Sequence, residues 1–249
     1  MKSLLGFELY FAVKQRVLIV LSLLALGYGY LINSQPIGEG MSQLALNSPY
    51  RISYFLILVS ILLVFVVALL ANSVLLKDQD HQFANIIEPL TNRPLLVSRW
   101  LAIVVSSALV SLCLILGMLA ALLVADANPA KVQPLNMGDF AWPWLVVVLP
   151  NTLLVSALLI TVTTRWRNAK ISYCCSLLLV SLTGAALIMI KAPISGESLL
   201  STSAWTRFFA IVDPFAASAF FEQTQFWLPQ QKNQQWFQLS GYMLLNRLW

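Results

Sequence analysis

The chain has 249 residues, 59% of them hydrophobic and 10% charged, with a formal net charge of +5 and a mean hydropathy of +0.79. That balance excludes an ordinary soluble domain and fits an integral membrane bundle organised as one domain over residues 1–249. Three cysteines, Cys113, Cys174 and Cys175, fall inside apolar stretches and read as small core residues, not as redox or metal groups.

Residues 1–16 are apolar around most of a helical circumference, with Leu4, Phe7 and Phe11 on one stripe and Glu8 close to it. The pattern predicts an interfacial elbow helix leading into the first span, although Glu8 spoils its segregation. Glu8, Lys14 and Arg16 interrupt the segment and no small-residue cleavage site follows, so it does not read as a removable signal peptide.

Five apolar runs follow, at 17–32, 52–76, 101–125, 144–164 and 171–190, and none contains Asp, Glu, Lys, Arg or His. About 20 apolar residues cross the hydrocarbon layer as a helix, and in lipid the backbone must satisfy its own hydrogen bonds, so the runs predict an all-α polytopic bundle. With the N-terminus in the cytoplasm, Lys14, Arg16, Arg93, Arg99, Arg165, Arg167 and Lys170 all fall inside, and the whole net charge sits on that face. The basic total therefore reflects topology, with no nucleic-acid patch. Trp100 and Trp166 mark inner ends of spans and Trp142 and Trp144 an outer one.

The outer segments 33–51 and 126–142 are rich in Gly, Pro, Asn and Ser and read as irregular connectors. Gly27, Gly29, Gly117 with Ala121, and Gly184 are small residues that permit close helix approach. Pro150, followed by Asn151 and Thr152, interrupts the fourth span and is a hinge candidate. The tail, 192–249, contains an apolar stretch at 204–221 that Arg207 and Asp213-Pro214 break into halves too short to cross, which predicts a re-entrant or interfacial helix pair. An apolar pattern resumes at Tyr242, as expected for the start of a sixth span missing from a truncated sequence.

The cytoplasmic segment 77–98 is the most informative. Phe83, Ile86, Ile87 and Leu90 are spaced to give a short helix one apolar face, with Asp78 and Asp80 near its start and Pro89 limiting its end. Thr91, Asn92 and Pro94 then supply a cap and first turn for the helix entering the third span. Spacing alone leaves two uses open for such a surface helix: resting on lipid headgroups or docking into a groove on a soluble partner.

The stretch Glu88-Pro-Leu-Thr-Asn-Arg-Pro-Leu-Leu-Val-Ser-Arg99, together with the elbow, the run of spans and the broken outer tail, resembles the membrane subunit of type 2 ABC exporters. The resemblance implies a permease that works as a homo- or heterodimer in a bacterial inner membrane. Phe83, Ile86, Ile87, Glu88 and Leu90 would dock a separate ABC ATPase, with Arg93 and Arg99 orienting the loop or pairing with partner or lipid charges. ATP and Mg²⁺ would belong to that ATPase, leaving this chain without a cofactor or catalytic residue of its own. Some members of the group resemble fusions to a zinc aminopeptidase, with which a truncated end is compatible.

No Gly-x-x-x-x-Gly-Lys-Ser/Thr motif occurs, so ATP hydrolysis cannot come from this sequence through a P-loop. His81 is the sole histidine, which excludes a His-Glu-x-x-His zinc site; with Asp78, Asp80 and Glu88 it reads as a hydrated loop and not a metal cluster. The alternative to a permease is a non-transporting membrane scaffold that recruits partner proteins. Apolar walls dotted with Ser, Thr and Asn fit lipids, hydrophobic peptides, drugs or polymers equally as cargo.

Overall fold

A computed structural model describes residues 2–34, 41–76, 93–125, 131–189 and 204–248, and no strand occurs among them. In chain order the helices are α1 (Lys2–Lys14), α2 (Arg16–Ser34), α3 (Pro49–Leu75), α4 (Arg93–Ala125), α5 (Gly138–Pro143), α6 (Leu149–Trp166), α7 (Ala169–Met189), α8 (Ala204–Val212), α9 (Ala217–Thr224), α10 (Pro229–Gln234) and α11 (Gly241–Leu248). A π-helical turn, Trp144–Val148, joins α5 to α6 without interruption. Five helices are long and apolar enough to cross a membrane: α2, α3, α4, the composite from Gly138 to Trp166, and α7. Each starts one to eight residues before its apolar run, because capping and first-turn groups and not the first apolar residue set a helix start.

The third-span helix starts at Arg93 with Pro94 in its first turn, as the sequence predicts. The second starts earlier than its apolar run. Ser48 accepts a hydrogen bond from the Arg51 amide and Pro49 occupies the first turn, so Arg51 is drawn into the helix instead of lying in the outer loop. Its side chain is fully buried, and Nη2 donates to the Ile32 carbonyl at 3.1 Å, satisfying one of the last carbonyls of α2.

Most of α3 is buried, with Ile52, Leu56, Ile57, Val64, Val67 and Leu70 inside the main core. It is the central post, and α4, α6 and α7 pack around it. By contrast α2 and α7 leave much of their surface open, as apolar helices in lipid can. The main partner of α2 is α4. There Gly29 meets Leu114 and Gly117 meets Leu26 at backbone level: a Cβ on either glycine would lie 2.1 Å and 2.0 Å, respectively, from those carbonyl oxygens. Asn33 adds a hydrogen bond to the Met118 carbonyl at 2.9 Å. Gly27 and Gly184 have nothing within 4 Å of an added Cβ, so the expected close packing does not involve them.

The elbow is a helix, and the residue that spoils its amphipathic pattern explains its position. Glu8 is 2% exposed and meets Arg99 of α4, Nε to Oε1 at 3.3 Å, while Phe7 on the other side is 60% exposed. Thus α1 is pinned to α4 by charge and presents apolar surface outward.

At the opposite end of the bundle the described parts of the two expected connectors, residues 41–48 and 131–142, belong to a cap. The Leu46 amide donates to the Lys131 carbonyl, and Asn47 and Gln133 exchange two hydrogen bonds, Asn47 Nδ2 to Gln133 O and Gln133 N to Asn47 Oδ1. The tail closes over them: Asn233 accepts from the Ala45 amide, Trp236 Nε1 donates to Asp139 at 2.7 Å, and Trp142 Nε1 donates to the Phe237 carbonyl. The Trp142 and Trp236 rings stack at 6.2 Å, and Tyr50 stacks on Phe220 at 5.4 Å. Composition marks these segments as irregular; the structure draws residues 33–34 into α2, 49–51 into α3 and 138–142 into α5, and the Asn, Gln and Trp side chains of the described remainder make specific cross-links.

The cysteines are free, yet the core reading needs correction: Cys174 is exposed on α7, and Cys113 and Cys175 are half-buried. Both lipid and protein are apolar, so hydropathy could not separate them.

Candidate functional site

Phe83, Ile86, Ile87, Glu88 and Leu90 lie outside the described residues, as do His81, Asp78 and Asp80. The two remaining members of the expected docking set are in α4 and face different surroundings. Arg93 is exposed in the first turn. Arg99 is turned inward onto Glu8, which ties the base of α4 to the elbow.

The fourth span departs from α-helical geometry just before Pro150. The Leu149 amide reaches back five residues to the Trp144 carbonyl, and Pro150 has no amide to continue the ladder. Thr152 donates its hydroxyl to the Val148 carbonyl at 2.7 Å, and Trp144 Nε1 donates to Ser111 of α4 at 2.9 Å, so the irregular stretch is held from both sides. π turns of this kind are frequent at functional sites because they rotate the following side chains out of register.

The side chain presented beside this irregularity is Asn151, 2% exposed and fully used. Its Nδ2 donates to Ser60 Oγ of α3 at 2.9 Å and to the Phe215 carbonyl at 3.2 Å, and its Oδ1 accepts from Arg247 Nη1 of α11 at 2.9 Å. One amide therefore joins the second span, the fourth span, the tail hairpin and the last described helix.

The hairpin is α8 and α9 turned at Asp213-Pro214, the pair of short helices expected from the broken apolar stretch. Asp213 Oδ1 accepts from the Phe215 amide at 3.0 Å and Oδ2 from the Ser218 amide at 2.8 Å, so the carboxylate supplies partners for the turn and for the second amide of α9. Ala216 takes a left-handed conformation, φ 56°, to make the turn. Asn246 closes the other end, its Nδ2 shared among the carbonyls of Ala210, Ile211 and Asp213 at the end of α8. Burial pushes the Asp213 carboxyl up from its usual value, opposed by the Ser218 and Phe215 amides and by the positive charge of Arg247. The Nε and Nη2 atoms of Arg247 are buried without a hydrogen-bond partner among the described residues, so its charge depends on Asp213 and Asn151 for compensation.

These polar groups form a structural node and contain no nucleophile–base pair. No grouping of three or more His, Cys, Asp or Glu side chains that could hold a metal occurs among the described residues. What the node can do is couple the broken fourth span to the hairpin, because motion of one must carry or break the Asn151 bonds. An Asn151→Ala substitution strips Arg247 and Ser60 of their shared partner and is expected to cost about 1–3 kcal/mol, the penalty for stranding buried polar groups. Thermal unfolding in detergent checks it, and an unchanged midpoint would show that the node bears no load.

Sequence reasoning named Pro150 and the Asp213-Pro214 break but missed Asn151 and Arg247 as a pair. The available signal was an Asn in an otherwise apolar span, since such a group in hydrocarbon needs a partner.

No protein-family model, curated protein or solved structure matches this chain. Its own residues carry the functional reading.

Proposed function

We propose that the chain is the permease subunit of an ATP-driven exporter of the type 2 ABC class, with its basic end in the cytoplasm of a bacterial inner membrane and a separate ATPase docked on the segment around Phe83 to Leu90. The observation that supports this most is the tail hairpin, α8 and α9, buried at its Asp213 turn against the irregular fourth span at the end opposite Arg93, Arg99 and Arg165. Short helices that enter a bundle from one end and return are costly in lipid unless their backbone ends are satisfied, and here Asp213 and Asn246 satisfy them. Such an element suits a barrier at the outer mouth of a pathway.

The packing suggests how force would travel. Arg99–Glu8 joins α4 to α1, and the glycine contact joins α4 to α2, so a push delivered through the segment before Arg93 would move α1, α2 and α4 together. The remaining group, α3, α6 and α7, carries the node and the hairpin. Sliding between the two groups, with the π turn before Pro150 as the compliant point, would alternate access while the partner ATPase binds and hydrolyses ATP with Mg²⁺. Two copies, or this chain and a related one, would enclose the pathway.

Purification of the native protein from membranes, with an Ile86→Asp/Ile87→Asp variant in parallel, tests the reading. The expected result is an ATPase that copurifies with the wild type and is lost from a variant that inserts equally well. Retention by the variant overturns the docking surface; absence of an ATPase from both samples overturns the permease reading in favour of a scaffold.

A further inference from the structure

Between α4 and α6, at the end of the bundle that carries Arg93 and Arg165, lies an open cavity of about 380 Å³. Its size falls within the range of roughly 300–1,000 Å³ typical of small-molecule sites. Leu96, Val97 and Trp100 of α4 face Ala157, Ile160 and Thr161 of α6 across it. The two helices are tied at the deep end, where Trp100 Nε1 donates to Ser156 Oγ at 2.9 Å, and the groove runs from that bond towards the basic end.

The few hydrogen-bond donors in its wall are already occupied. Thr161 donates its hydroxyl to the Ala157 carbonyl at 2.8 Å, Thr164 to the Ile160 carbonyl at 2.7 Å, and the indole N–H is held by Ser156. An occupant's acceptor groups therefore gain nothing inside the groove, and an apolar chain leaves no wall donor without a partner. The mouth has the opposite character. Arg93 precedes Leu96 and Val97 by three and four positions and so shares their helix face, and Arg165 follows Thr161 by four on the other wall. Both arginines are exposed, and beside them Trp166, at the end of a membrane-length helix, is 57% exposed, as suits an amphipathic ring among headgroups.

We propose that this groove holds an anionic phospholipid, one acyl chain lying between α4 and α6 and the phosphate between Arg93 and Arg165. Charge decides the occupant. A second copy related by a two-fold axis would bring four arginines together at the mouth, whereas a phosphodiester, with its one negative charge and its acceptor oxygens, offsets half the charge of the two that are there and can accept hydrogen bonds from both. The assignment is independent of whether the chain transports anything.

The test is native mass spectrometry of the full chain released from detergent after exchange with dioleoyl phosphatidylglycerol or dioleoyl phosphatidylcholine. Retention of the anionic lipid is expected, and Arg93→Gln/Arg165→Gln should weaken it roughly thirtyfold, the loss anticipated for two basic residues at an anionic surface. Lys131→Gln, at the other end of the bundle, should leave it unchanged. Ala157→Trp, which fills the groove and leaves both arginines in place, should displace the lipid as well; should that variant fail to fold, the arginine pair still decides. Equal retention of the two lipids, or undiminished phosphatidylglycerol binding in the arginine variant, overturns the proposal. So does a lipid-free dimer cross-linked through cysteines placed at Val97.

Discussion

Arg99→Ala should lower the stability of the chain by about 3–5 kcal/mol, the cost of leaving a buried charge without its counter-ion. Arg99 is 6% exposed and Glu8 2%, so water cannot take over from the lost guanidinium. Glu8→Ala should be comparably severe for the mirror reason. The informative variant is the double one, Glu8→Leu/Arg99→Met, in which both charges go and apolar side chains of similar reach remain. It should recover most of the loss, because removing a buried pair together with its desolvation penalty is close to neutral. Thermal unfolding of the four proteins in one detergent measures the cycle. Single substitutions that cost no more than about 1 kcal/mol, the scale of an exposed pair, would mean that the elbow is held by its apolar contacts and not by charge.

The second large effect is expected at the glycines of α2 and α4. Alanine at Gly117 would place its Cβ 2.0 Å from the Leu26 carbonyl oxygen, and alanine at Gly29 2.1 Å from that of Leu114. The obstacle in each case is backbone, which cannot rotate away as a side-chain tip can, so the helices must separate and surrender contacts along their shared length. Overpacking of this kind costs about 1–3 kcal/mol and here should reach the upper end. Gly27→Ala supplies the control, since an added Cβ there has nothing within 4 Å. In a helix interior that change should be neutral or stabilising by up to about 1 kcal/mol. A result in which Gly27 and Gly117 behave alike would overturn the packing of α2 on α4. Under the proposed mechanism Gly117→Ala should also uncouple α2 from movements of α4, so a variant that still inserts would retain its ATPase and lose transport.

These two tests mark where the sequence was readable and where it was not. The apolar runs identified every membrane-length helix among the described residues, and Pro94, Pro150 and Asp213-Pro214 mark irregular points that the structure places at a helix start, beside a π turn and in a hairpin turn. Glu8 was visible as a misfit in the elbow, but its partner stands 91 positions away and nothing local points to it. Arg51 was assigned to a loop because hydropathy ends a span at the first charge, whereas capping by Ser48 and Pro49 carries the helix past it. Cys174 shows the reverse error, since it is exposed on an apolar helix, whereas half-buried Cys175 packs against the core. Of the expected partner surface, only Arg93 and Arg99 fall among the described residues, and they point to different tasks.

By itself, then, the sequence determined an all-helical chain with five membrane-length helices and an excess of basic residues at one end, because the hydrocarbon thickness and the backbone's need for hydrogen bonds act on consecutive residues. Only the tertiary structure decided that Gly29 faces Gly117's helix while Gly27 faces open space, that Asn151 meets Arg247 from 96 positions away, and that the outer segments knit into a cap. Those outcomes depend on how each helix is rotated and offset against its neighbours. Hydropathy cannot encode that rotation where lipid and protein are equally apolar, and the few polar and glycine contacts that select it join residues far apart in the chain.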